Sequence, residues 1–86
     1  MKITIYSTKT CPYCHMLRRW LDDKAVDYTN YNVDENPLAA QAMVNLSGQM
    51  GVPFSTVEYG DGQMAKILGF DRPKFEATLQ AAQAGA

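Results

Sequence analysis

The amino-acid sequence predicts an α/β fold built on one small mixed sheet. Alternating or β-branched runs typical of strands and amphipathic runs typical of helices follow in the order β-α-β-α-β-β-α. The first β-α-β unit requires a right-handed crossover and parallel strands, whereas the last two strands form an antiparallel hairpin. With 86 residues and a 47% apolar share, the chain is long enough for a single domain spanning residues 1–86. Four strands with helices on both faces are therefore expected.

The first half of the chain supplies two strands and one helix of this order. Residues 2–6 alternate like a strand, and apolar side chains recur at helical spacing from residue 12 to about 24. Val26 to Val33 is predicted as the second strand, because its tyrosines and valines suit a pleated, half-buried surface.

The second half begins with a helix whose start and stop are both signalled. Asn36 suits an N-cap and Pro37 the first helical position, and Ser47-Gly48 ends the run. Strands over 54–59 and 63–68 flank the turn at 60–62. Asp71 is predicted to cap a last helix over about 72–83, followed by a frayed tail.

Composition and charge exclude several classes of function. The net charge of −1 argues against a nucleic-acid-binding protein, which is normally basic. No apolar run approaches the roughly 20 residues of a membrane span. The N-terminus lacks the apolar stretch and cleavage site of a signal peptide, so we expect a cytoplasmic protein.

The two cysteines of the chain lie in one motif, Cys11-Pro12-Tyr13-Cys14, between the first strand and the first helix. A thiol at a helix N-terminus faces unpaired backbone N–H groups and the positive end of the helix dipole, and both favour the thiolate that attacks disulfides. Residues three apart share a helix face, so Cys14 can reach the Cys11 sulfur. We interpret Cys11 as the exposed attacking sulfur and Cys14 as the shielded resolving sulfur of ordinary acidity. C-x-x-C beside a β-α-β unit is typical of a thioredoxin-like redox site.

Three other interpretations of the cysteine pair are weaker. A zinc site normally needs four ligands, and only His15 and scattered carboxylates are available to complete one, so no metal is expected. A structural disulfide would close a very small loop and is rare in a reducing compartment. Cys11 to His15 also matches C-x-x-C-H, the c-type haem attachment pattern, but the strand entering the motif argues against haem.

Two basic side chains follow the motif on the same helix. His15 lies four residues after Cys11, where a protonated imidazole would help to hold a thiolate. Arg18 lies four residues after Cys14 and would contribute to the same field. A solvated helix surface accounts for both residues more simply.

With these elements in place, the chain resembles a glutaredoxin over essentially its whole length. Cys11-Pro12-Tyr13-Cys14 is the dithiol motif of that family, and Gly51-Val52-Pro53 resembles its T-V-P segment, whose proline follows a cis peptide bond. Gly69-Phe70-Asp71 resembles the family's G-C-D segment at the start of the last helix. The resemblance implies a thioredoxin-like fold with strand order 2-1-3-4. A trans Pro53 that opens an edge strand is the alternative.

The resemblance also implies a binding site for glutathione as co-substrate. The backbone of Val52 before Pro53 would pair with the extended substrate. Tyr13 would line the glutathione groove, and Gln49 matches a position where the family often carries Gln or Arg. The backbone of Phe70 and Asp71, together with the Asp71 carboxylate, would hold the γ-glutamyl end.

Several residues depart from the family pattern. Many members carry a basic residue three positions before the first cysteine; here Thr8 stands there, and Lys9 follows as the candidate glutathione contact. Arg72-Pro73 after Asp71 resembles the glutaredoxin-like electron donors of ribonucleotide reductase, which take electrons from thioredoxin reductase. Ser55 and Thr56 occupy a strand that is usually apolar.

The sequence therefore predicts a monomeric thiol–disulfide oxidoreductase that reduces disulfide-containing or glutathionylated proteins. Glutathione is the expected reductant, and thioredoxin reductase is the alternative. A third hypothesis is a binding protein in which Cys11 of two chains and two glutathiones hold an iron–sulfur cluster, which Pro12 disfavours by family resemblance. No nucleic acid and no membrane are expected as partners.

Overall fold

A computed structural model describes residues 1–84 and shows a four-stranded mixed sheet with helices on both faces. The strands are β1 (Lys2–Ser7), β2 (Thr29–Asn32), β3 (Phe54–Tyr59) and β4 (Gln63–Leu68). The helices are α1 (Pro12–Asp23), α2 (Pro37–Ser47) and α3 (Arg72–Ala84). The predicted element order is confirmed, and residues 85–86 of the predicted frayed tail lie outside the described part.

The sheet has the strand order β2-β1-β3-β4. β1 pairs in parallel with β2, as the crossover through α1 requires, and antiparallel with β3, which forms the hairpin with β4. The thioredoxin-like topology implied by the resemblance is thus confirmed. It places the C-terminal end of β1, and therefore the start of α1, next to the beginning of β3.

The second strand is shorter than predicted. β2 covers Thr29–Asn32 rather than residues 26–33. After α1 ends, Ala25 takes a left-handed conformation (φ 55°) and the Val26 N–H bonds back to the Leu21 carbonyl at 3.1 Å. Val26 is therefore held at the end of the helix and packs on the core from a connecting segment.

Two apolar clusters hold the layers together, one on each face of the sheet. On one face, Leu17 and Leu21 of α1 meet Phe75 and Leu79 of α3 over strand residues that include Ile5. On the other face, Ala39 and Met43 of α2 pack on Tyr6 and Phe54. Burial of these side chains at about 25 cal/mol per Å² of apolar area is the main force that holds α1 and α3 on one face of the sheet and α2 on the other.

Capping residues mark the start of α2, the end of α2 and the start of α3. The Asn36 side chain accepts the Ala39 N–H at 3.1 Å, and the Asp71 side chain accepts the Lys74 N–H at 3.2 Å. Gly48 ends α2 at φ 72°, a left-handed conformation that favours glycine. These caps confirm the helix boundaries predicted at Asn36, Gly48 and Asp71.

Candidate active site

Cys11 is the N-cap of α1, at the point where the turn after β1 enters the helix. Its backbone N–H bonds to the Thr8 carbonyl at 3.4 Å, and its sulfur accepts the backbone N–H of Cys14 at 3.2 Å. An N–H donated to sulfur at a helix N-terminus stabilises negative charge there. Because Cys11 is also partly exposed, its sulfur is open to an incoming disulfide.

Cys14 lies one turn further along α1 and is fully buried. Burial, together with the side-chain hydrogen bond to Cys11, raises the pKa of the Cys14 thiol to about 12, and the Thr8 backbone offsets only part of the rise. The shielding of Cys14 that the sequence predicts is found, whereas the more ordinary pKa is not, because packing around this sulfur removes water from it. Both cysteines are free thiols, so the structure represents the reduced dithiol.

The loop before β3 lies against the Cys11 sulfur. The Val52–Pro53 peptide bond is cis, as the resemblance implied, and the Val52 carbonyl oxygen lies 4.0 Å from the Cys11 sulfur. The Gly69 N–H donates to the Pro53 carbonyl at 2.7 Å. The fold therefore brings the dithiol, Val52-Pro53 and the segment at the start of α3 together.

Gln49 uses its side chain inside the loop that precedes Val52. Its amide nitrogen donates to the Gly51 carbonyl at 3.1 Å and to the Ser47 hydroxyl at 3.3 Å. Its amide oxygen accepts the Gly51 N–H. The predicted glutathione contact is thus a clamp that shapes the loop in this structure.

The two predicted contacts at the start of α3 also have structural partners. The Phe70 ring packs edge-on against Trp20, with ring centroids 5.8 Å apart. The Asp71 carboxylate caps α3 through the Lys74 N–H. The backbone of this segment stays beside Pro53, which is where the resemblance places the γ-glutamyl contact.

Tyr13 and Lys9 lie two residues to either side of Cys11 in the chain. Tyr13 is 63% exposed on the first turn of α1 and offers its ring to a ligand. The Lys9 ammonium lies 2.7 Å from the Glu35 carboxylate, and this hydrogen bond raises the pKa of Lys9. Lys9 is therefore engaged with the loop after β2.

His15 and Arg18 form a chain of contacts that spacing alone did not predict. The His15 Nε2 atom lies 2.8 Å from the Lys9 carbonyl oxygen, and the Arg18 guanidinium donates to His15 Nδ1 at 2.7 Å. Because a guanidinium only donates, this contact assigns Nδ1 as the acceptor and Nε2 as the donor to the Lys9 carbonyl. In this arrangement the His15 ring links Arg18 to the turn before Cys11.

Two exposed apolar side chains lie on α1 and in the loop before Val52. Met16, one turn after Tyr13, is 52% exposed, and Met50, in the loop before Val52, is 75% exposed. The sequence does not predict this exposure, because methionines are equally compatible with core and surface positions. Among residues 1–84, no three His, Cys, Asp or Glu side chains gather in a way that would hold a metal ion.

Comparison with known proteins agrees with this geometry. The model of the glutaredoxin family matches residues 3–57. A glutaredoxin-like 8.6 kDa protein of the rubredoxin operon of Clostridium pasteurianum is 33% identical over 78 residues, which are 91% of this chain and 97% of that protein. This chain belongs to the glutaredoxin family.

Other members of the family share less of its length or have a solved structure. Glutaredoxin 3 of Escherichia coli is 35% identical over 51 residues, covering 59% of this chain and 61% of that protein. The structure of the glutaredoxin-like protein NrdH-redoxin of Escherichia coli, described as having a thioredoxin-like activity profile, superposes with a TM-score of 0.72. It is 33% identical and the match covers 92% of this glutaredoxin and 95% of that chain.

Family membership and the dithiol geometry together define the chemistry. This glutaredoxin is a thiol–disulfide oxidoreductase with a thioredoxin-like fold. Within residues 1–84, no helix has the length and apolar character needed to cross a bilayer.

Proposed function

We propose that this glutaredoxin reduces protein disulfides and glutathione mixed disulfides through Cys11 and Cys14, in the cytoplasm and as a monomer. The observation that carries the proposal is the contrast between the two sulfurs. The Cys11 sulfur is partly exposed and accepts a backbone N–H at a helix N-terminus, and the Cys14 sulfur is buried one helical turn away.

The reaction is two successive exchanges. The Cys11 thiolate attacks a substrate disulfide, forms a mixed disulfide and releases one substrate thiolate, which takes a proton from water. Cys14 then loses its proton and attacks the Cys11 sulfur. This releases the second substrate thiol and leaves a Cys11–Cys14 disulfide, so the substrate gains two electrons and two protons.

Glutathione is the proposed reductant. Membership of the glutaredoxin family supports it, as does the exposed Tyr13 ring beside the attacking sulfur. With a glutathionylated protein, Cys11 takes the glutathionyl group, and a second glutathione regenerates the thiolate and leaves as glutathione disulfide.

The second candidate is an electron carrier recycled by thioredoxin reductase. Two observations favour it: the Lys9 ammonium is paired with Glu35, and the Gln49 amide is bonded within its own loop. The similarity to NrdH-redoxin, whose activity profile is described as thioredoxin-like, supports it as well.

Two measurements test these proposals. Disulfide reduction is followed with glutathione plus glutathione reductase, and then with thioredoxin reductase, each with NADPH; the supply that sustains turnover identifies the reductant. Separately, Cys11→Ser should abolish all activity, whereas Cys14→Ser should keep the removal of glutathione from mixed disulfides. Equal loss in both variants on a glutathionylated substrate would contradict the assigned roles.

A further inference from the structure

A cavity of about 190 Å³ lies on the α2 face of the sheet, beside the loop that carries the cis proline. Its apolar wall is formed by Leu46 of α2, Phe54 of β3 and Leu68 of β4, and Ser47 and Gln49 line it on the side of that loop. We call it the α2–β4 cavity. It is smaller than the roughly 300 Å³ at which small-molecule sites begin, so its size suits one side chain rather than a whole cofactor.

Two lysines stand at the edge of the α2–β4 cavity. Lys66 projects from β4 and Lys74 from the first turn of α3, and both are exposed. Within residues 1–84, neither ammonium has a carboxylate within 4.0 Å, whereas Lys9 and Arg72 do. The nearby Asp71 carboxylate accepts the Lys74 backbone N–H as a helix cap. The cavity therefore combines an apolar wall with positive charge that no described side chain neutralises.

Two residues that line the cavity are next in the chain to residues close to the dithiol. Phe54 follows the cis Pro53 in the chain, and Leu68 precedes Gly69, whose N–H bonds to the Pro53 carbonyl at 2.7 Å. The Val52 carbonyl in turn lies 4.0 Å from the Cys11 sulfur. An extended peptide advances about 3.3 Å per residue. Residues two to four positions from a disulfide docked at Cys11 therefore lie about 7–13 Å from that disulfide along the peptide.

We propose that the α2–β4 cavity binds a segment of the protein substrate in which an apolar side chain is followed or preceded by an acidic one. The apolar side chain fills the space between Leu46, Phe54 and Leu68, and the carboxylate lies between Lys66 and Lys74. The inference rests on the proposed function, since it assigns to the same reaction a preference among protein disulfides. Charge complementarity favours an acidic partner, and the apolar wall favours a peptide over the glutathione tripeptide, which has no apolar side chain.

The test uses single-turnover reduction, which does not depend on which reductant recycles the protein. Reduced protein is mixed with peptides that carry one disulfide and a Leu-Glu pair two, three or four residues from it, on either side. Each peptide has a Leu-Gln counterpart of the same length. An exposed ion pair changes affinity by about 1.5- to 5-fold, so with two lysines we expect a preference for glutamate of about three- to tenfold in at least one position. The preference should fall in 0.5 M salt because the charges are exposed.

The variant Lys66→Gln/Lys74→Gln should bring the glutamate-to-glutamine ratio close to one. Lys2→Gln is the control: it removes another exposed lysine, at the start of β1, and should leave the glutamate-to-glutamine ratio unchanged. Provided that the glutamine peptides are still reduced, two results would overturn the inference: a preference for glutamate that survives in the double variant, or no preference for glutamate at any position. Failure to reduce the glutamine peptides as well would instead refute the proposed function.

A carboxylate of glutathione is the alternative ligand for Lys66 and Lys74. Removal of glutathione from a glutathionylated peptide without the Leu-Glu pair should be equally fast in the double variant and in Lys2→Gln. A loss confined to the double variant would assign the lysines to a glutathione carboxylate and overturn the assignment to a protein segment.

Discussion

Replacing Ser55 with alanine is expected to stabilise this protein. Ser55 is fully buried in β3, and its hydroxyl has no hydrogen-bond partner among residues 1–84. The antiparallel register places it opposite Ile5 of β1 and Ile67 of β4, both fully buried members of the same apolar cluster. The hydroxyl is therefore a polar group surrounded by aliphatic side chains on the sheet face that supports α1.

The expected gain follows from two opposing contributions. A buried hydroxyl without a partner costs about 1–3 kcal/mol. Removing it leaves a void of roughly 15 Å³, which costs about 0.4 kcal/mol at about 24 cal/mol per Å³. Ser55→Ala should therefore raise the free energy of unfolding by about 1–2 kcal/mol, and the melting temperature by at least about 4 °C for a domain of this size.

Ser7 is the matched control. It is fully buried at the end of β1, but its hydroxyl donates to the Asn30 side-chain oxygen at 2.6 Å. Ser7→Ala should lower the free energy of unfolding by about 1–2 kcal/mol, because it removes a bond and leaves the asparagine unsatisfied. Urea denaturation of the reduced proteins, read by far-UV circular dichroism, gives both values. Shifts of the same sign in the two variants would refute the reasoning, since the predictions differ only in whether the hydroxyl is paired.

The buried resolving thiol and the loop clamp give three further predictions. Iodoacetamide at pH 8 should alkylate Cys11 and leave Cys14 unmodified in the native protein, which mass spectrometry of tryptic peptides would show; alkylation of both sites at similar rates would contradict the burial of Cys14. Because burial raises the Cys14 pKa from 9.0 to about 12, the unfolded chain releases this proton first. The reduced protein should therefore lose stability between pH 9 and 12, more steeply than Cys14→Ala, and equal slopes would disprove the link. A Cβ at Gly51 would lie 2.6 Å from the Gln49 amide oxygen and would displace the end of that flexible side chain. Because the bonds of the clamp to Gly51 are exposed, Gly51→Ala and Gln49→Ala should each cost at most about 1 kcal/mol in denaturant unfolding and their double variant no more than either, whereas additive losses would show that no shared clamp exists.

The sequence predicts most of the fold because its signals are local and mutually consistent. Asn36-Pro37 and Asp71 mark helix starts that the structure confirms through their capping bonds. The exception is β2, which the sequence predicts to begin at Val26 because valine and tyrosine at 26 and 28 are typical of strands. Their conformation is decided by the bond from Val26 to the Leu21 carbonyl and by the left-handed Ala25, and neither feature has a sequence signature of its own.

Less of the site could be predicted, because its properties depend on tertiary surroundings. The motif indicates which sulfur caps a helix, but the acidity of Cys14 depends on how completely the sheet and helices exclude water from it. The His15 contacts depend on where the turn after β1 places the Lys9 carbonyl. The Gln49 clamp closes only when Gly51 folds back onto it. The His15 and Gln49 contacts join a side chain to loop backbone, and the burial of Cys14 depends on packing between elements; residue spacing specifies neither.

The burial of Cys14 also bears on the order of the two exchange steps. Its pKa is raised first by burial and second by the side-chain hydrogen bond to Cys11. Once the Cys11 sulfur is part of a mixed disulfide it is a poorer hydrogen-bond acceptor, so the second cause weakens while the first remains. In the proposed reaction, the pKa of Cys14 therefore falls at the stage when Cys14 attacks the mixed disulfide. Burial, which does not change, shields the Cys14 sulfur from reagents in solution at both stages.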